Sequence, residues 1–159
     1  MTTALVPTLT ANAPAKVVNV GSLGQVPVDF DDVELTRGYD GVTAYRRAKL
    51  ALAAWSFDLA EELAGRGVTV NCLHPATLMD TQMVRDHGAP PRSTVREGGE
   101  ATLRLILHEE GTGGFFDGQR PARAHPDAYD PEVRRRLRAL TFGSARTGKA
   151  PTHEQTNCR

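Results

Sequence analysis

Two cysteines in 159 residues are too few for a disulfide framework. Cys72 sits inside an apolar run and Cys158 beside the C-terminus, so both read as reduced thiols of a cytoplasmic protein. No apolar run approaches the ~20 residues that cross a bilayer. The opening stretch, MTTALVPTLTANAPAK, has no basic leader and no apolar segment before a cleavage signal, so no secretory peptide is expected. Charge of one sign is also missing. Nineteen basic and nineteen acidic side chains cancel, which excludes a whole-protein field that would gather nucleic acid or an anionic membrane. His74, His87, His108, His125 and His153 are scattered without metal-ligand spacing, so no zinc site is expected. No internal repeat is visible. What remains, 40% hydrophobic and 24% charged, is an ordinary globular composition sufficient for one core.

Strand-like and helix-like runs alternate along the chain. Residues 4–13 resemble the tail of a helix closed by Pro14. KVVNVGS, Lys16 to Ser22, is a β-branched run of the kind found in a parallel strand buried on both faces. Glycines, Pro27 and several acids then make residues 24–41 a long loop. From Val42 to about Gly65 the pattern turns helical, with Leu50, Ala53, Ala54, Phe57, Leu59, Ala60 and Leu63 on one broad apolar face. VTVNCL, Val68 to Leu73, is a second buried strand, stopped by His74-Pro75. Residues 76–92 are irregular. Thr94 and Glu97 form a capping box for a helix reaching about His108. GGFFDG, residues 113–118, reads as a third strand, with Phe115 and Phe116 as its core contacts. Asp130-Pro131 opens a last helix to about Leu140, and 143–159 read as a disordered tail. Arg134, Arg135, Arg136 and Arg138 on that last helix read as a solvated basic face. The alternation implies an α/β fold with a parallel three-stranded sheet and flanking helices.

Three groups would meet along the carboxyl rim of that sheet, where open α/β sheets place their sites. Ser22 ends the first strand, Tyr45 and Lys49 are one helical turn apart at the start of the long helix, and His74-Pro75 ends the second strand. A phenol is a poor acid or base at neutral pH, and an ammonium close by favours its ionised form. A serine hydroxyl within reach can hold a carbonyl or alcohol oxygen while the phenol gives or takes its proton. Such a site does not cleave C–H bonds unaided; the hydride needs a nicotinamide cofactor. His74, before a proline at a strand end, reads as structural, and Trp55 with Phe57 as packing.

VVNVGSLGQ, AYRRAKLA and GVTVNCLHPATLMDT together resemble successive motifs of the short-chain dehydrogenase/reductase family. The long loop between Ser22 and Tyr45 resembles its retinol-dehydrogenase-like branch. The likeness spans roughly residues 1–141 and implies a partial Rossmann-type half-domain. It implies an NAD(P)-dependent alcohol/carbonyl oxidoreductase with a small-molecule alcohol or carbonyl substrate. By resemblance Ser22 orients the substrate oxygen and Tyr45 is the acid/base. Lys49 favours the Tyr45 phenolate and bonds the nicotinamide ribose. Pro75 would lie against the nicotinamide with the Leu78 backbone near its carboxamide. Thr81, or its neighbour Asp80, matches the family's threonine. Two departures stand out: Pro75-Ala76 replaces the usual Pro-Gly, and Ala48 stands where serine is frequent.

The front of the family pattern has no counterpart. Only 21 residues precede Ser22, without the strand, glycine-rich turn and helix that hold a pyrophosphate. Asn12 is too near Ser22 to be the family's catalytic asparagine, and nothing selects NAD over NADP. Two readings stand side by side: a truncated form of a longer oxidoreductase, or a genuinely short protein. The short protein would be a cofactor-independent acid/base enzyme (dehydratase, isomerase or cyclase) or a non-catalytic interaction module. Weak or absent dinucleotide binding is expected either way. An open edge at Val17, Val18 and Val20, with Leu50, Ala54 and Phe57 uncovered on the long helix, would favour a homo-oligomer.

Overall fold

A computed structural model describes residues 2–147. Helix α1 (Thr2–Ala11) leads to strand β1 (Ala15–Val20), and a long loop follows before helix α2 (Gly41–Glu62). Strand β2 (Val68–His74) comes next, then a short helix α3 (Gln82–Asp86) and helix α4 (Val95–His108). Strands β3 (Phe115–Asp117) and β4 (Arg120–Ala122), a 3-10 turn at Pro126–Ala128 and helix α5 (Pro131–Thr147) complete the described chain.

The strands lie in the order β1-β2-β3-β4. The first three are parallel, as the alternation of strand-like and helix-like runs implies; β4 returns antiparallel to β3. This fourth strand escaped the sequence reading because RPA carries no strand pattern. Pro121 cannot donate to a ladder and is tolerated only at an edge, which is where it lies. Gly118, with φ of 56°, makes the tight reversal between the two strands.

Helices cover both faces. Against one, Ala53, Ala54 and Phe57 of α2 pack with Cys72, Phe115, Ala124 and Ala128. Beside them Leu59, Ala60 and Leu63 meet Val68 and Val70, with Val6 and Leu9 of α1 at the margin. Against the other, Ala101 and Leu105 of α4 cover Leu73 and Phe116. The Thr94–Glu97 capping box that starts α4 is fully formed.

The apolar face of α2 is not left uncovered. Leu50, Ala54 and Phe57 are all buried; the segment after β4 folds back over Ala54 and Phe57, and Tyr129 stacks on Phe57 with ring centroids 4.7 Å apart. Helix α5 then docks on α2. Arg134 donates to Asp58 at 2.7 Å and Glu61 at 2.9 Å, and Arg138 reaches Glu62 at 3.0 Å. Arg136 lies 4.0 Å over the Phe30 ring. The arginine cluster is therefore largely an inter-element clamp, and only Arg135, paired with Glu132 of its own helix, keeps to the expected solvated face. Helix α5 runs past Leu140 to Thr147, where an irregular tail is expected from the sequence. The rest of that tail, 148–159, lies outside the described residues.

The exposed apolar side chains sit elsewhere. Val95, Leu103, Ile106 and Leu107 form the outer face of α4, and β1, which among the described residues pairs only with β2, lies at the sheet edge and ends in an exposed Val20.

Candidate active site

Parallel register brings three strand ends level. Val20 pairs with Leu73, and His74 with Asp117, so Gly21-Ser22, His74-Pro75 and Asp117 share one rim. The Gly21 N–H extends the ladder by bonding the Leu73 carbonyl at 2.7 Å. Gly21 is small for want of space: a Cβ there would lie 2.7 Å from the Cys72 sulphur beneath it. Burial pushes that thiol up to about 11, against a weaker opposing hydrogen bond with Ser56, so Cys72 is a packing group and no nucleophile.

Ser22 is 7% exposed, and its Oγ accepts the Gly24 N–H at 3.0 Å. The Asp40 carboxylate starts α2 by accepting from Val42 and Thr43. Tyr45 follows in the next turn and is 41% exposed. Lys49, one turn further on, donates its Nζ to the Val20 carbonyl at 2.9 Å and sits 5.4 Å from the centroid of the Tyr45 ring. A second tie fastens the same two elements. Asn19 donates to Ser56 Oγ at 2.9 Å, and that hydroxyl donates back to the Leu52 carbonyl at 2.6 Å. The structure thus brings Tyr45 and Lys49 together and anchors Lys49 two residues before Ser22. Among the described residues the Tyr45 hydroxyl makes no hydrogen bond, to Ser22 or to any other group.

Pro75 is buried just after β2. Leu78 adopts a left-handed backbone, φ 47°, which for a non-glycine residue costs about 1–3 kcal/mol and persists only where neighbours over-determine it. They do here. The Leu78 carbonyl accepts from Arg92 N–H at 3.0 Å, Asp80 N–H donates to Ser93 C=O at 3.0 Å, and Ser93 Oγ donates to Thr77 C=O at 2.7 Å. Gly98 in the first turns of α4 has no side chain where the Met79 sulphur rests, so helix and loop lie in direct contact. Asp80 is occupied by Arg85 at 2.7 Å, whereas the buried Thr81 Oγ1 has no hydrogen-bond partner among the described residues. A buried hydroxyl left without a partner beside a strained turn is the kind of group that a bound polar ligand would satisfy.

His74 is structural in its contacts. It is buried, its Nε2 shares a hydrogen bond with Thr77 Oγ1 at 3.1 Å, and Asp117 lies 4.0 Å away. Burial holds its pKa below the usual histidine range, with Asp117 partly offsetting this. No group of three or more histidine, cysteine or acidic side chains that could hold a metal occurs among the described residues.

The short chain dehydrogenase family model matches residues 1–91, which include Ser22, Tyr45 and Lys49. This chain belongs to that family. Human retinol dehydrogenase 13 is 34% identical over an alignment covering 86% of this chain and 47% of that protein, and human retinol dehydrogenase 12 is 30% identical over 86% and 48%. The chain is thus similar to retinol dehydrogenases and spans about half the length of the curated relatives it matches. Among solved structures, the NADPH-bound carbonyl reductase from chicken fatty liver superposes with a TM-score of 0.58 at 22% identity, over 78% of this chain and 51% of that one. The NADH complex of 3-ketoacyl-(acyl-carrier-protein) reductase from Brucella melitensis gives 0.53 at 22% identity, over 74% and 49%. These likenesses establish the Rossmann-type fold. No helix among the described residues is long and apolar enough to cross a membrane.

Proposed function

We propose that this chain carries the catalytic side of an NAD(P)-dependent oxidoreductase that interconverts a small alcohol and its carbonyl. The observation that carries this reading is the Lys49 ammonium, anchored on the Val20 carbonyl and poised over the Tyr45 ring. A positive charge in that place stabilises negative charge developing on the phenol oxygen. Ser22 Oγ already accepts a bond from Gly24, which leaves its own proton free to donate to a substrate oxygen. Tyr45, unpaired and half-exposed, gives a proton to that oxygen during reduction and takes it back during oxidation. Lys49, Pro75, Leu78 and Thr81 would hold the nicotinamide end of the cofactor, which supplies or accepts the hydride when bound. A cytoplasmic, reducing setting accords with the buried free thiol of Cys72.

The test is turnover by the 159-residue chain with NADH and NADPH, against retinol-type alcohols, their aldehydes and simple ketones. Activity should fall about 10²–10⁴-fold in Tyr45→Phe, since only the phenolic proton is deleted, with the circular dichroism spectrum unchanged. Unchanged turnover in that variant would move the chemistry elsewhere and sink the reading.

A further inference from the structure

Gln25 takes no part in the chemistry above, yet both ends of its side chain are committed near Ser22. Its Nε2 donates to the Ser22 carbonyl at 2.6 Å, and its Oε1 accepts the His125 backbone N–H at 2.9 Å, 100 residues further along the chain. A carbonyl only accepts and a peptide N–H only donates, so the orientation of the amide is unambiguous. On the near side the turn is compact: Gln25 N–H bonds the Leu23 carbonyl at 2.8 Å, and Gly24 N–H bonds Ser22 Oγ. On the far side His125 stands between Ala124 and Ala128, which pack against Ala53 and Ala54 of α2. Helix α2 is the one that presents Tyr45 and Lys49.

The ladder does not reach Ser22. Its last bond on this strand is from Gly21 N–H to Leu73, and the irregular loop to Asp40 begins immediately after. Ser22 therefore relies for its backbone setting on the turn that Gln25 ties down. We propose that Gln25 is a positioning residue: a strut that fixes Ser22, and with it the direction of its hydroxyl, relative to the packed layer that seats the Tyr45 helix. The proposal rests on the reading of Ser22 as the group that orients the substrate oxygen. The tie is built for this because it spans both members of the pair. One end grips the serine itself, and the other grips the segment on which α2 rests.

Two variants separate the contributions of the amide. Gln25→Met keeps the length of the side chain and deletes both polar ends. Gln25→Glu retains an acceptor for His125 but sets a carboxylate against the Ser22 carbonyl. Each should lower turnover roughly tenfold to a hundredfold, the scale on which a small misplacement of a reacting group acts. In a Ser22→Ala background, Gln25→Met should cause no further loss, because the strut acts only through Ser22. Losses that multiply in the double variant would overturn the proposal, since a merely structural Gln25 would slow both backgrounds alike. Should the unaltered chain show no turnover with either coenzyme, the functional reading fails, and amide hydrogen exchange judges the strut by itself. Gln25→Met should then speed exchange at Gly24 and His125 while Val70 and Cys72 stay protected; unchanged protection at Gly24 and His125 would overturn it.

Discussion

Replacing Gly21 by alanine tests whether the floor of the site is as tight as the structure shows. The new Cβ would lie 2.7 Å from Cys72 Sγ, 3.5 Å from the Leu73 carbonyl oxygen and 3.7 Å from Phe115 Cε2. Optimal heavy-atom contacts sit near ~3.5–4.0 Å, so only the sulphur is overlapped, by about 1 Å. Cys72 is fully buried among Phe57, Ala53 and Phe115, and its short side chain has nowhere to turn. Overpacking of this kind costs about 1–3 kcal/mol. Cys72→Ala alone should cost about 1 kcal/mol, the scale of deleting one buried methyl-sized group. In the double variant the new methyl enters the space the sulphur vacates, so most of the Gly21→Ala penalty should disappear. Urea unfolding of the four proteins closes the cycle. With a slope of ~1–3 kcal/mol per molar, a 2 kcal/mol penalty moves the midpoint by about 1 M. If Gly21→Ala costs the same with and without the Cys72 sulphur, the clash is not with Cys72 and the packing account is wrong.

Further expectations concern protonation, ligand and assembly. The lowered pKa of buried His74 means that the unfolded chain takes up the proton first as pH falls. Stability should therefore be full above about 6.5, the ordinary histidine value, and decline as pH drops below it. Denaturation midpoints from pH 7.5 to 5.5 should fall less steeply in His74→Gln, and equal slopes would exonerate His74. Calorimetry should find NADH and NADPH binding to the 159-residue chain no tighter than about millimolar, because the glycine-rich pyrophosphate turn is not in its sequence. Low-micromolar affinity would contradict this and imply that another subunit supplies that half. Light scattering at tens of micromolar should show a dimer or larger, joined through the open β1 edge or the outer face of α4; a well-behaved monomer would refute that assembly.

Much of the architecture is legible in local patterns. KVVNV and VTVNCL are β-branched runs that read as buried strands; both became parallel strands, but only VTVNCL is buried, whereas KVVNV is half-buried because it lies at the sheet edge and has no neighbour beyond it among the described residues. Thr94 and Glu97 announce α4 because a capping box is a local hydrogen-bonding device, satisfied within one turn. Tyr45 and Lys49 share a helix face by spacing alone. Other features left no such trace. RPA has no strand periodicity, and only a partner already in place makes it β4. The arginines of α5 look solvated until α2 brings Asp58, Glu61 and Glu62 within reach. Asn19 did leave a faint signal, a polar residue in the middle of an apolar strand, but its partner Ser56 lies 37 residues away and no spacing rule connects them.

The same division runs through the candidate site. Residue type and order by themselves determined its chemistry: a hydroxyl at a strand end, a phenol and an ammonium one helical turn apart, and a strand closed by His-Pro. Each depends on interactions a few residues long, which local pattern encodes. Tertiary structure alone decided how tightly these parts are held. The Lys49–Val20 bond, the Gln25 tie to His125, the sulphur beneath Gly21 and the strapped left-handed turn at Leu78 all join segments far apart in sequence. Such contacts depend on where packed layers bring backbone groups to within about 3 Å, and nothing in the local sequence of either partner specifies that distance.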